Sequence, residues 1–400
     1  MRTIDDLAVA GQRVLVRADL NVPLDGPRIT DDGKIRALLP TLKTLIARGA
    51  RVIVCSHLGR PAGRPEPALS LAPVAEQLGQ LLGLPVTLAP ELADPAGPAA
   101  AAAAATLRPG DVLLLENLRF SPGETSRDDA ERGAFADRLA ALADLYVGDA
   151  FGCVHRRHAS VYDVPARLPH AAGYLVQAET AALRRLTELP ERPYLVVLGG
   201  AKVADKLPLT GHLLDLADEV VVGGAMATSF LAAQGYPVGR SRRDGDAQEA
   251  HAILERGGPR LVLPADLVAA ASPEDPQTAS VVASHAIPPG LMALDIGPRT
   301  AQIYAARIAT ARTVFWNGPM GVAEVPRFAA GTRAIASALA RSHGFTVIGG
   351  GDTGAAVRAL GYPRTLYRHV STGGGASLEF LSGRSLPGLV ALERDAVPSR

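Results

Sequence analysis

The stretch Tyr194-Leu195-Val196-Val197-Leu198-Gly199-Gly200-Ala201-Lys202 decides the fold. Five apolar residues without polar alternation suit a strand buried on both faces, as in parallel sheets. Two glycines come next, where the backbone must turn tightly or approach a ligand closely. The pattern recurs. TVFW at 313–316 runs into Asn317-Gly318-Pro319, FTVI at 345–348 into Gly349-Gly350-Gly351, and EVVV at 219–222 into Gly223-Gly224. Further apolar runs lie at 13–17 (RVLVR), 50–55 (ARVIVC), 111–115 (DVLLL), 144–147 (DLYV), 260–263 (RLVL) and 291–294 (LMAL). Helical stretches such as 38–48 and 299–309 separate most of them. Strand and helix in alternation predict an α/β chain of doubly wound parallel sheets.

A chain of 400 residues is too long for one ordinary core, so two such Rossmann-like domains are expected. The rhythm breaks at Ala172–Leu189, which reads as a linker helix carrying Glu179, Arg184, Arg185 and Glu188, with Pro190 and Pro193 after it. The expected organisation is a first domain over 1–171, the linker helix over 172–189, a second domain over 190–380 and a returning segment over 381–400. The run Ala99–Ala105 predicts a surface helix, and Pro387–Arg400 shows no clear element. A formal net charge of +1 gives no global attraction to nucleic acid or to an acidic membrane. Met1–Ala10 lacks an apolar signal core, and no long uncharged stretch could span a bilayer. A cytoplasmic protein is therefore expected, with Cys55 and Cys153 reduced.

Ligands of open α/β sheets sit beyond the carboxyl ends of the strands. In the first half those ends read Ala18-Asp19-Leu20-Asn21-Val22-Pro23, Ser56-His57-Leu58-Gly59-Arg60-Pro61, Glu116-Asn117-Leu118-Arg119-Phe120 and Asp149-Ala150-Phe151-Gly152-Cys153-Val154-His155-Arg156-Arg157-His158. Four strand ends thus bring arginine and histidine to one side of one sheet, and Arg36 comes after the first of them, at the opening of a helix. Converging guanidinium groups repel one another unless an anion lies between them, and their fork suits phosphate and carboxylate. Asp19 and Asn21 are suited to a ligand hydroxyl, or simply to the turn before Pro23. Cys153, His155 and His158 have the types and spacing of metal ligands, but Arg156 and Arg157 within the same run oppose a cation.

The second half offers glycine instead. Only four of the 41 cationic residues are lysines, and two of them, Lys202 and Lys206, fall four apart after Gly199-Gly200. A helix opening there would place both on one face and aim its free N–H groups at phosphate. Gly349-Gly350-Gly351-Asp352-Thr353-Gly354 fits G-x-G-x-x-G. The acid expected about 20 residues on in a dinucleotide site is absent, because the sequence there reads Tyr367-Arg368-His369-Val370-Ser371. No G-x-x-x-x-G-K-[ST] occurs either. A nucleotide site of another design remains, with Asp352 as a magnesium ligand or as a helix N-cap.

These motifs, together with Trp316-Asn317-Gly318-Pro319 and Ser371-Thr372-Gly373-Gly374-Gly375-Ala376-Ser377, resemble those of phosphoglycerate kinases, in register from near residue 13 to near residue 390. The resemblance implies reversible, Mg²⁺-dependent phosphoryl transfer between 1,3-bisphosphoglycerate and ADP, giving 3-phosphoglycerate and ATP. It implies that Asp19, Asn21, His57, Arg60, Arg119 and Arg156 hold 3-phosphoglycerate, with Leu20, Leu58 and Gly59 in the same loops. Arg36 would lie near the transferring group and Lys202 would accompany it, with Gly351 beside them. Lys206 and Glu324 would bind the nucleotide. Gly350, Gly351, Asp352 and Thr353 would surround its phosphates, and Asp352 would hold the metal. The resemblance further implies a C-terminal strap on the first domain. Two sites on different domains predict closure about 172–189 and 369–375, and a monomer is expected. Ala18, Leu20, Cys153, Val154 and Ala323 depart from the commoner pattern without removing a charged group. A catalytically inactive binding protein and an NAD-dependent oxidoreductase are the alternative classes. The first requires a replaced charged site residue, and the second requires the missing acid.

Overall fold

The apolar runs of the first half form strands whose lateral order explains the polar residues behind them. In chain order the elements are β1 (Arg13–Ala18), β2 (Leu24–Asp25), β3 (Arg28–Ile29), α1 (Gly33–Ala47), β4 (Arg51–Cys55), α2 (Ala72–Leu82), β5 (Val86–Leu88), α3 (Pro98–Thr106), β6 (Val112–Leu114), α4 (Asp129–Ala141), β7 (Leu145–Asp149), β8 (His170–Ala172) and α5 (Tyr174–Thr187). The sheet order is β5-β6-β4-β1-β7-β8, and its pairings are parallel, with Val14 opposite both Val52 and Leu145. The four strands that carry the polar motifs are therefore consecutive neighbours. β1 pairs with β4 on one side and β7 on the other, which makes it the topological switch point where such sheets take ligands. The computed structural model describes residues 1–204 and 206–394, and the chain divides into one unit of Met1–Thr180 with the segment from Ser385, and a second of Ala181–Arg384. The division falls inside α5.

The second unit contains β9 (Tyr194–Leu198), α6 (Leu207–Leu216), β10 (Glu219–Val222), α7 (Gly224–Ala233), α8 (Ala247–Gly257), β11 (Leu261–Val262), β12 (Asp266–Ala270), β13 (Ser280–Ala283), β14 (Met292–Ile296), α9 (Pro298–Thr310), β15 (Thr313–Asn317), α10 (Ala330–Ala340), β16 (Phe345–Gly349), α11 (Gly351–Ala359), β17 (His369–Val370) and α12 (Gly375–Leu381). Its parallel sheet runs β11-β10-β9-β15-β16-β17, again with the switch point at the first strand, between β9 and β15. All five residues of β9 are buried. Burial of each such side chain stabilises the fold by roughly 1.5–3 kcal/mol.

Three expectations are corrected. Leu291–Leu294 does not join the parallel sheet. β14 pairs antiparallel with β12, which also pairs antiparallel with β13 in a separate three-stranded sheet. No α-helix lies between β12 and β13, so the chain can only return beside itself. Lys202 and Lys206 do not share a helix, because α6 begins at Leu207. Gly200 has a φ of 90°, and Pro208 fits the first helical turn, where its missing N–H costs nothing. The C-terminal stretch is not featureless, since α13 (Pro387–Glu393) lies in the first unit, where Gly388 N–H donates to Val154 O at 2.8 Å. Residues 395–400 lie outside the described residues.

Candidate functional site

In the first unit, the loop after β4 is clamped by the loops beside it. Gly59 N–H donates to Asn21 Oδ1 at 2.9 Å, while Gly59 O accepts from Arg119 Nη1 at 2.7 Å. Gly59 has a φ of 62°, a left-handed conformation open to glycine at little cost. Asn117 Nδ2 donates to Leu58 O at 2.7 Å, and Glu116 accepts from Leu71 N–H at 2.7 Å, so these two residues hold the loops in place. Leu20 N–H is fixed by Ser56 Oγ at 2.9 Å. Asp19 accepts from Lys34 Nζ at 2.8 Å, which brings to the site a lysine that sequence reasoning missed.

Positive charge gathers here with few counter-charges. Arg119 is buried, and burial first and Arg156 second pull its pKa down, as expected of two crowded cations. Neither forms an ion pair with a carboxylate among the described residues; Arg156 Nε lies 3.1 Å from His155 Nε2. His57 is buried and held well below the ordinary histidine range, first by burial and then by Arg17, Arg119, Lys34 and His158. His158 is pulled down to about 3 by burial and then by Arg17, Arg119, Arg156 and His155. Both rings are neutral at pH 7. Arg60 is exposed at the same loop. Arg36, in the first turn of α1, is exposed and engaged by Asp32 at 2.8–2.9 Å.

Cys153, His155 and His158, whose reading as metal ligands Arg156 and Arg157 oppose, do not form a ligand cluster among the described residues. The residues brought within 4.8 Å of one another are Asp19, His57 and Cys153. Lys34 already pairs with that carboxylate, and Arg17 contacts both His57 and Cys153. Burial pushes the Cys153 thiol pKa up, so it is a poor thiolate ligand. The set suits an anion. Arg17, itself 1% exposed, is the second residue that sequence reasoning passed over, because it ends the apolar run RVLVR and reads as a strand border.

The second unit builds a cavity of about 360 Å³ lined by Gly200, Lys202, Lys206, Asn317, Gly318, Gly350, Gly351, Asp352, Thr353 and Gly374 among others. Backbone packs on backbone around it. Gly199 N–H donates to Asn317 O at 2.9 Å, and Gly200 N–H to Pro319 O at 2.8 Å. A Cβ on Gly318, at φ 93°, would fall 2.2 Å from Gly199 O. Thr353 Oγ1 accepts from Gly318 N–H at 2.7 Å. Lys206 is buried and donates to Gly199 O at 2.7 Å, while Lys202 is exposed at the cavity. Asn317, buried at the wall, was not selected from the sequence as a site residue. Asp352 is exposed in the first turn of α11 and does not cap it; the N-cap is Gly350. Glu324 is exposed in a turn and is not among the residues lining the cavity.

Cationic loops at the strand ends of one parallel sheet and a glycine-walled cavity in the other unit fit a phosphotransferase. The phosphoglycerate kinase family profile matches residues 4–384. Phosphoglycerate kinase of Streptomyces avermitilis is 57% identical over 405 residues, covering 98% of this chain and all of its own. That of Streptomyces griseus is 58% identical with the same coverage. Phosphoglycerate kinase of Coxiella burnetii superposes with a TM-score of 0.85 at 38% identity, and that of Pyrococcus horikoshii with 0.87 at 32%, each over 98% of both chains. The chain belongs to the phosphoglycerate kinase family and is a glycolytic kinase. Among the described residues, no helix is long and apolar enough to cross a membrane.

Proposed function

We propose that the first unit holds 3-phosphoglycerate or 1,3-bisphosphoglycerate on Asp19, Asn21, His57, Arg60, Arg119 and Arg156, and the second holds ADP or ATP on Lys206, Glu324 and Gly350–Thr353. The observation that carries this reading is the crowding of Arg119 and Arg156, neither of them in an ion pair with a carboxylate among the described residues. In the forward direction a β-phosphate oxygen of ADP attacks the phosphorus of the acyl phosphate. The bond from that phosphorus to the carboxyl oxygen breaks, and the carboxylate of 3-phosphoglycerate leaves with the electron pair. Nucleophile and leaving group are ionised at neutral pH, so no general base is required. The neutral state of His57 and His158 agrees with that.

Such transfers depend on placement and on stabilising charge at the equatorial oxygens. Lys202, exposed at the cavity, is free to accompany the phosphoryl group. Arg36 would exchange Asp32 for it. Asp352, an exposed carboxylate at the cavity, fits Mg²⁺, which takes one or two carboxylates beside phosphate oxygens. When bound, the ion neutralises phosphate charge. Each unit supplies one reactant, so turnover would require closure about 172–189 and 369–375. Scattering with both ligands bound is expected to report a smaller radius than with either alone, and an unchanged radius would contradict closure. A coupled assay with 3-phosphoglycerate and Mg-ATP is expected to yield ADP only when both are present. ADP release without the acceptor would contradict the assignment. The cytoplasm and a monomeric state complete the proposal.

A further inference from the structure

Arg17, at 1% exposed, is the most deeply buried cation of the first unit among the described residues, and its hydrogen bonds have a fixed polarity. A guanidinium has donors only. Nε donates to Ser160 Oγ at 2.7 Å, so the Ser160 hydroxyl proton passes onward to Glu124 Oε1 at 2.6 Å. Ser160 N–H donates to Glu124 Oε2 at 3.0 Å, and Arg17 Nη2 lies 3.9 Å from Glu124 Oε1. Both charged residues are buried. The same Nη2 lies 3.3 Å from His57 Nδ1. Facing a donor, Nδ1 can only accept. A neutral imidazole then carries its proton on Nε2.

We infer that Arg17 is a positioning residue that fixes His57 as the Nε2–H tautomer, so that the ring offers a donor to an oxyanion in the pocket. The other tautomer would present a lone pair to the anion. A charged ring would also donate, and the Asp19 carboxylate within 4.8 Å favours it, but Lys34 already pairs with that carboxylate, the neighbouring Cys153 is a buried thiol, and burial, Arg17, Arg119, Lys34 and His158 oppose the charge. Glu124 and Ser160 hold the guanidinium in the orientation that faces Nδ1. A bland role also exists for the pair, fastening β1 to the turn that carries Ser160. In that role alone it would leave the His57 proton indifferent to Arg17. The inference rests on the reading that His57 meets 3-phosphoglycerate.

Nitrogen-15 spectra of the histidine rings in the full chain test the assignment. The wild-type His57 signals are expected to show a protonated Nε2 and a bare Nδ1, unchanged between pH 8 and 5. A proton on Nδ1, or ordinary titration in that range, would overturn it. Arg17→Lys keeps the charge but cannot span Ser160 and His57 together. It should raise KM for 3-phosphoglycerate about tenfold, the loss of roughly one charge-assisted hydrogen bond, leave KM for ATP unchanged, and give His57 mixed tautomers. Wild-type KM with a single tautomer would reduce Arg17 to a charge and refute the inference. Should that variant fail to fold, Glu124→Gln keeps the shape and is expected to move both readouts in the same direction by a smaller factor; no movement refutes the clamp. Saturating 3-phosphoglycerate should shift the wild-type Nε2 proton. An unshifted signal with the tautomer intact would refute the contact with substrate and leave the tautomer assignment standing.

Discussion

The two sites lie at equivalent places on similar sheets yet are made of different material. In the first unit the proposed site is made of side chains: Arg119, Arg156, Lys34 and His57 gather at loops fastened by Asn21, Asn117 and Glu116. In the second, the backbone forms the wall, and side chains such as Thr353 and Lys206 secure the backbone. The difference is that a side-chain site can lose one group without losing its shape, whereas a backbone site fails when its packing fails.

The largest effects should come from the groups given to the transferring phosphoryl, one from each unit. Arg36→Ala and Lys202→Ala are each expected to lower kcat on the order of 10²–10³-fold with little change in either KM, as for other groups that stabilise transition-state charge. Stopped-flow or steady-state rates decide this, and near-normal kcat in either variant removes that residue from the chemistry. Asp32→Ala should sharpen the point. If Asp32 only parks Arg36, its loss leaves kcat within a few-fold.

Next in size is Gly318→Ala. The new Cβ meets the carbonyl of Gly199 at 2.2 Å, and φ 93° is unfavourable to any side chain. The loop must move, and ADP affinity should fall by roughly tenfold or more, since a strained backbone position alone costs about 1–3 kcal/mol. Affinity for 3-phosphoglycerate should be unchanged. Equal loss of both ligands would mean that the units are not independent binding bodies.

The smallest effect concerns a feature that the units share. Each has a buried carboxylate accepting backbone N–H groups. Asp149 accepts from Leu175 at 2.9 Å and Val176 at 3.1 Å, and Asp295 from Ile296 at 2.9 Å and Gly331 at 2.7 Å. Burial pushes their pKa values up to about 6 and about 7 despite those bonds. A raised carboxyl pKa means that the folded state holds the proton more tightly than the unfolded chain. The associated stability is therefore complete below about pH 4 and lost as pH rises through about 6 for Asp149 and about 7 for Asp295. Asp149→Asn and Asp295→Asn should each flatten the pH dependence of urea unfolding between pH 4 and 8, Asp295→Asn the more because its pKa is raised further. A slope identical to wild type would contradict the burial argument.

Much of this was legible in the sequence because parallel strands buried on both faces are written as plain apolar runs, and the polar or glycine-rich residues at their carboxyl ends make up the proposed sites. Asp19, Asn21, His57, Arg119, Gly350 and Thr353 could be singled out for that reason. Arg17 could not, because a charge at a strand end reads as a boundary; only its burial reveals that it needs Glu124 and Ser160. Lys34 lies in a helix and reaches Asp19 through space. The loop from Gly199 to Lys206 read as helix because lysines four apart invite that reading, whereas Gly200 and Pro208 delay the helix to Leu207. Of the antiparallel strands, β14 was legible as a strand at 291–294 though not its pairing, and β12 was obscured by its alanines, which carry little strand signal.

Calorimetric titration of 3-phosphoglycerate and of Mg-ADP into the wild type, Arg119→Ala and Gly318→Ala tests the division of labour most directly. A crossed pattern is expected: Arg119→Ala loses about tenfold or more in 3-phosphoglycerate affinity, the loss expected for a charge-assisted hydrogen bond, and keeps Mg-ADP, while Gly318→Ala does the reverse. Parallel loss of both ligands in either variant would contradict it.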